Sequence, residues 1–187
     1  FVSLRPYMNG RTSVEASTDF IRAESGGAFA WEEVARYRDI WQGPLLLKGV
    51  LHPKDAERAI SAGIDGLVVT NHGGRQIDAL PASIDALPAI VEQVKGRVEI
   101  IVDSGVRSGV DVARALALGA NAGFSGKAFL WSLGALGERG PGHLIELFKE
   151  DLSSTLGQLG CHTIEDLRLV TVRHPGAYSI NDFSGLE

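Results

Sequence analysis

One cysteine, Cys161, stands among 187 residues, which excludes an intrachain disulfide and any site built from several thiolates. A reducing compartment suits such a chain, and a lone thiol just beyond a helical pattern reads as inert. No apolar run approaches the roughly 20 residues that span a bilayer, so a membrane role is not expected and a soluble, cytoplasmic protein is. His-Glu-x-x-His spacing is absent, which leaves a metal site without support. No Gly-x-Gly-x-x-Gly follows a strand-like run, so the usual dinucleotide argument fails. An excess of positive charge is missing too: 18 Lys and Arg against 23 Asp and Glu give a net charge of -5, with the basic residues dispersed. Nucleic acid is therefore not an expected partner. Phe1 is no initiator methionine and the first residues lack the order of a signal peptide, so the start reads as a cut or processed end.

What is present is alternation. Four strand-like runs, Leu45 to Leu47, Gly66 to Val69, Glu99 to Val102 and Ala122 to Phe124, are each followed by a helical pattern, the signature of βαβ units around a parallel sheet. A first helix is predicted from Pro53 to Ala62, stopped by Gly63. After the second run, Ile84, Leu87, Ile90, Val91 and Val94 share a face, and Pro88 is expected to break that stretch. Ser108 and Asp111 form a capping box for the next helix, which Gly119 closes. Pro141 opens a long helix with Leu144, Leu147, Phe148, Leu152, Thr155, Leu156 and Leu159 on the predicted buried side.

The ends differ from this middle. Residues 1–28 carry Pro6, Asn9-Gly10 and Gly26-Gly27 with little periodicity, so they read as a mobile loop, a candidate lid, leading to a helix at about Trp31 to Trp41. From Arg168 to Glu187 the tail reads as irregular, wrapping a neighbour or fraying. Residues 29–167 form the core α/β unit. A closed eight-stranded β/α barrel takes about 250 residues, and only four units are visible. The expectation is half a barrel whose remaining strands come from a second polypeptide or a lost segment, because four strands leave two unpaired edges.

In such barrels the functional residues lie at the carboxyl ends of strands, where the unusual polar residues of this chain fall. Lys48 follows the first run. Thr70-Asn71-His72-Gly73-Gly74-Arg75-Gln76 follows the second. An unperturbed imidazole titrates near neutrality and suits a base; a guanidinium three residues on can clamp a carboxylate through paired hydrogen bonds. The glycines between them allow close approach of backbone and ligand. Asp103-Ser104-Gly105-Val106-Arg107 and Gly123-Phe124-Ser125-Gly126-Lys127 end the last two runs, offering backbone N–H groups and two cations to a phosphate. Ordinary glycine turns with solvated charges would give the same pattern in either segment alone. His52, His143, His162 and His174 read as structural or solvated.

Leu47-Lys48-Gly49-Val50, Thr70 to Asp78, Asp103 to Arg107 and Gly126 to Leu130 together resemble the FMN-dependent α-hydroxy acid oxidase and dehydrogenase family, with order and spacing agreeing from about Trp31 to Leu167. The resemblance implies a TIM (β/α)8 barrel, this chain supplying the C-terminal half, strands 5–8. It implies FMN as cofactor and a small L-2-hydroxy acid as substrate, such as lactate, glycolate or mandelate. Residue by residue, it places Lys48 by the flavin N1 and C2 carbonyl and has Thr70 help hold the flavin. It makes His72 the catalytic base, Arg75 the carboxylate clamp and Asp103 the partner of the ribityl hydroxyls. Ser104, Gly105, Arg107, Gly126 and Lys127 would surround the phosphate. Two positions depart from the family: Lys127 stands where arginine is usual, and Ser104 where glycine is common. The family's first four strands, its substrate-binding tyrosines and the aspartate that orients the histidine would precede Phe1, so the partner implied is the N-terminal half, separate or cleaved, in an oligomer that is tetrameric by resemblance. Two rivals are a non-catalytic half-barrel assembly module and a flavin-free phosphate-binding isomerase or lyase.

Overall fold

The computed structural model describes residues 2–11, 13–24 and 29–183. The chain divides into two compact units, Phe1–Ile40 and Trp41–Glu187.

In the first unit a 3-10 turn, Val2–Tyr7, precedes helix α1, Val14–Glu24, and helix α2, Trp31–Ile40. Helix α1 corrects the expectation of an irregular segment over residues 1–28, part of which, at positions 1, 12 and 25–28, lies outside the described residues. The Ser13 hydroxyl accepts the Ala16 N–H at 3.1 Å, an N-terminal cap that nucleates the first turn. Periodicity missed this helix because it buries almost nothing: Val14 is 69% and Ile21 38% exposed, and Ser17 is its one buried residue. Helix α2 starts where the Glu33 carboxylate accepts the Ala30 N–H at 2.8 Å.

The second unit is an α/β fold around one parallel sheet in the order β1-β2-β3-β4. Its strands are β1, Leu46–Val50; β2, Gly66–Val69; β3, Glu99–Asp103; and β4, Ala122–Phe124. Helices α3, Pro53–Ser61; α4, Ser83–Val94; and α5, Gly109–Ala117, connect successive strands, and α6, Lys127–Leu136, and α7, Gly140–Leu159, follow the last. All four residues of β2 are buried, as in a strand covered on both faces. The edge strands are not: Leu46 on β1 is 43% exposed and Phe124 on β4 is 50% exposed. Strand β1 runs further than its apolar triplet predicts. Lys48 pairs with Val68 and Val50 with Val69, so Gly49 forms a bulge, and its φ of +106° is a conformation glycine adopts without steric cost.

Pro88 does not break α4, which continues through it. A proline inside a helix costs about 3 kcal/mol, whereas each fully buried large aliphatic side chain contributes roughly 1.5–3 kcal/mol. Leu87, Ile90 and Val94 on this helix are all at 0% exposure, and packing wins. Ser108 caps α5 as predicted, accepting the Asp111 N–H at 3.1 Å, while the Asp111 carboxylate accepts the Arg107 N–H at 3.0 Å. Helix α7 packs on α5 and α6 through a narrower face than predicted: Leu144, Phe148, Leu152, Thr155 and Leu156 are half-buried, but Leu147 and Leu159 are exposed. A second small core joins Ala113, Leu116 and Leu167 to Leu152, Leu156 and Cys161, which gives the lone thiol a packing role. Helix α6 was not foreseen.

The tail folds back on its own unit. His174 Nε2 lies 2.5 Å from Asp85 Oδ1 on α4, the Tyr178 N–H donates to the Asp85 carbonyl at 2.9 Å, and Phe183 stands edge-on to His52 at 4.6 Å. His52 itself caps α3, its Nδ1 accepting the Lys54 N–H at 3.0 Å. Among the described residues no helix is long and apolar enough to cross a membrane.

Candidate active site

The carboxyl ends of β1, β2, β3 and β4 open on one cavity of about 520 Å3. Lys48, His72, Arg75, Asp103, Ser104, Gly105, Arg107, Gly126 and Lys127 all line it. Nine of the ten site residues singled out from the sequence are thus brought together, from segments spread over 80 positions. The tenth, Thr70, is 1% exposed and is not among the lining residues. Its hydroxyl bonds two residues that do line it, donating to Asp103 Oδ2 at 3.1 Å and accepting the His72 N–H at 3.0 Å.

The Lys48 ammonium meets Asp103 Oδ2 at 3.1 Å, both side chains partly exposed. The bulge at Gly49 brings backbone against the imidazole: a Cβ there would lie 3.5 Å from His72 Cε1. His72, Gly73 and Gly74 form a tight turn with φ of +56°, +66° and +73°. For the non-glycine His72 this left-handed conformation costs roughly 1–2 kcal/mol, so local bonds must hold it. The Asn71 side chain accepts the Gly73 N–H at 2.9 Å and donates to the Pro81 carbonyl at 3.2 Å, while the Asn71 N–H donates to Ser83 Oγ at 3.1 Å. Asn71 escaped the sequence reading, although an asparagine opening a turn two residues before a glycine is a known local signal.

The Ser125 hydroxyl donates to the Val106 carbonyl at 2.7 Å, joining the two glycine turns. Arg107 stacks over Trp131, its Cζ 5.4 Å from the ring centroid. Lys127 begins α6, and its Nζ donates to the Gly73 carbonyl at 2.9 Å. Trp131 and Ser125 were not singled out beforehand; their roles emerge only once α6 is folded against the strand ends.

Residues 3–174 match the family described as FMN-dependent dehydrogenase. The chain belongs to this family. The FMN-dependent dehydrogenase relatives include the L-lactate dehydrogenase of Haemophilus influenzae strain PittEE, 38% identical over 162 residues that make up 87% of this chain and 42% of that protein. The L-lactate dehydrogenase of Xanthomonas axonopodis pv. citri strain 306 is 40% identical over 165 residues, 88% of this chain and 42% of its own length. Among solved structures, mandelate oxidase superposes with a TM-score of 0.78 at 38% identity, covering 91% of this chain and 52% of that one. A monotopic membrane protein, (S)-mandelate dehydrogenase, gives 0.78 at 38% identity over 83% of this chain and 41% of its own. The chain therefore spans about half or less of the length of the relatives it matches.

The family's cofactor is FMN, and the donor set fits it. Arg107 and Lys127 would supply two cations for a phosphate beside the turns at Gly105 and Gly126, where an added Cβ would meet open space. Asp103 would offer carboxylate oxygens for hydroxyls, and Lys48 would put a positive charge in the same cavity.

Proposed function

We propose that this chain supplies the flavin-binding and proton-accepting part of an enzyme that oxidises an L-2-hydroxy acid to the 2-oxo acid. The reading is carried by one observation: an ammonium, an imidazole and a guanidinium, from Lys48, His72 and Arg75, line a single cavity that three further cationic residues, Arg107, Arg114 and Lys127, also line. Arg75 grips the substrate carboxylate with paired hydrogen bonds, which orients the carbon bearing the hydroxyl towards His72. A ring nitrogen of His72 accepts the proton that leaves the substrate. FMN, when bound, supplies the two-electron acceptor. Lys48, held by Asp103 at 3.1 Å, provides the positive charge that compensates negative charge developing at that end of the site. Arg107, Gly105, Gly126 and Lys127 hold the phosphate.

In the same reading the second unit is the C-terminal half of a β/α barrel, and polypeptide outside these 187 residues, on the same chain or another, supplies the remaining strands. Two features support this: edge strands β1 and β4 leave Leu46 and Phe124 exposed, and the chain matches only 42% of the lactate dehydrogenase of Haemophilus influenzae strain PittEE. The relatives named for lactate and mandelate set the substrate class to be tried first.

The test is spectroscopic. Native protein titrated with FMN should quench the flavin fluorescence and turn yellow, and anaerobic L-lactate or (S)-mandelate should bleach the flavin bands. In His72→Ala the bands should persist with FMN still bound. A protein that stays colourless, or a His72→Ala variant reduced at the wild-type rate, would remove the reading. Binding of FMN with no bleaching by any 2-hydroxy acid, even with the rest of the barrel present, would favour a non-catalytic module.

A further inference from the structure

We propose that Ser104 is a positioning residue that fixes the turn carrying His72, an inference that rests on the reading of this turn as the proton-accepting part of the site. The resemblance puts Ser104 beside the phosphate, yet its hydroxyl is taken up on two sides by other partners. Ser104 Oγ lies 2.8 Å from Thr70 Oγ1 and accepts the Gly73 N–H at 2.8 Å.

Proton counting fixes the direction of every bond in this chain. The Thr70 hydroxyl donates to Asp103 Oδ2 at 3.1 Å. Thr70 has one proton, so Ser104 must be the donor in the Ser104–Thr70 bond. Ser104, its own proton committed, is then left as acceptor for Gly73. An ordered path thus runs from the Lys48–Asp103 ion pair, through two hydroxyls, to the backbone of the turn. Thr70 holds the His72 N–H and Ser104 the next one, so two successive amides of a left-handed turn are anchored on the end of the sheet.

Two further observations favour a role for the hydroxyl. Ser104 has a φ of +80°, which glycine adopts freely and serine does not, so a strained residue stands here with its side chain fully engaged. None of the residues His72 to Gly74 is buried, so no apolar side chain of the turn anchors it. Asn71 contributes a bond from within the same turn; Ser104 contributes one from just past the end of β3.

Ser104→Ala and Ser104→Gly separate the hydroxyl from the strain, since both lose the hydroxyl and only glycine relaxes the backbone. In the flavin-free protein, amide exchange at Gly73 should quicken about 10-fold in both variants, with β2 and β3 amides unchanged. In the FMN-loaded enzyme, both variants should show kcat with L-lactate lowered about 10-fold or more because the base is misplaced, while KM and FMN affinity stay within about twofold. Three results would overturn the proposal: unchanged Gly73 exchange, recovery of the wild-type rate in Ser104→Gly, or weakened FMN binding with a normal reduction rate once loaded. The last would make Ser104 a phosphate ligand. A wild-type protein that binds no FMN would sink the proposed function, and the exchange measurement would still decide the role of Ser104.

Discussion

Lys127 Nζ donates to the Gly73 carbonyl at 2.9 Å, tying the first residue of α6 to the turn that carries His72. Gly73 makes room for this contact, since a Cβ there would lie 3.3 Å from Lys127 Cε and Nζ. One ammonium therefore lines the cavity and holds the imidazole turn. Removing it in Lys127→Met should weaken FMN binding about 10- to 100-fold, because a hydrogen bond to a charged group is worth about 1.5–3 kcal/mol. Lys127→Arg should keep most of the affinity but lose the single-point bond to Gly73, as the planar fork reaches differently. Fluorescence titration with FMN measures both, and an unaltered affinity in Lys127→Met would take Lys127 out of the phosphate site.

Arg75→Lys tests the carboxylate clamp. Lysine keeps the charge and loses the fork, so paired recognition becomes a point contact. The KM for L-lactate should rise about 10-fold, with a smaller fall in kcat from misorientation. Steady-state kinetics showing neither change would place the carboxylate elsewhere in the cavity.

Wherever local chemistry decides, the fold was legible from the sequence. Strands β2 and β4 end where their apolar runs end, the Ser108 cap forms, and the glycine turns after β3 and β4 open on the same cavity. Tertiary packing overrides local preference elsewhere. Pro88 sits inside α4 because buried Leu87 and Ile90 hold the helix together. Lys48 and Gly49 extend β1 because the bulge keeps pairing with β2, which an apolar triplet does not encode. Helix α1 carries a cap and no buried stripe, so periodicity had nothing to detect. The site residues were visible as residue types at strand ends, whereas the Thr70–Ser104 link joins positions 34 apart and appears only when β2 and β3 lie side by side.

Gly109→Ala and Gly142→Ala should have opposite signs. At Gly109 a Cβ would fall 2.2 Å from the Leu152 nitrogen and 2.5 Å from the Phe148 carbonyl oxygen. Both are backbone atoms of α7, so the two helices must separate, and a loss of about 1–3 kcal/mol is expected. At Gly142, exposed near the start of α7, a Cβ meets nothing within 4 Å, and replacing a helical glycine should add roughly 0.5–1 kcal/mol. Urea denaturation monitored by circular dichroism reads both. A neutral Gly109→Ala would mean that α5 and α7 do not approach so closely.

Glu57 on α3 ties that helix to the end of α4, and its titration gives a pH dependence with a definite sign. Arg97 donates to both carboxylate oxygens, at 2.9 and 2.5 Å, and Gln93 adds a bond at 2.7 Å. Chiefly through the Arg97 bonds and then the Gln93 bond, the carboxyl is held at about 2 rather than its ordinary 4.5. Because the folded form prefers the ionised state more than the unfolded form does, the contribution is fully present above about pH 4.5 and fades as pH falls towards about 2. The groups are exposed, so the effect is small and weakened by salt; its shape is the signature. Comparing urea midpoints of the wild type and Glu57→Gln, the gap should be constant above about pH 5, close progressively in acid, and shrink at high ionic strength. A gap that stayed the same down to about pH 2 would show that Glu57 acts through neutral packing against α4 rather than through its charge.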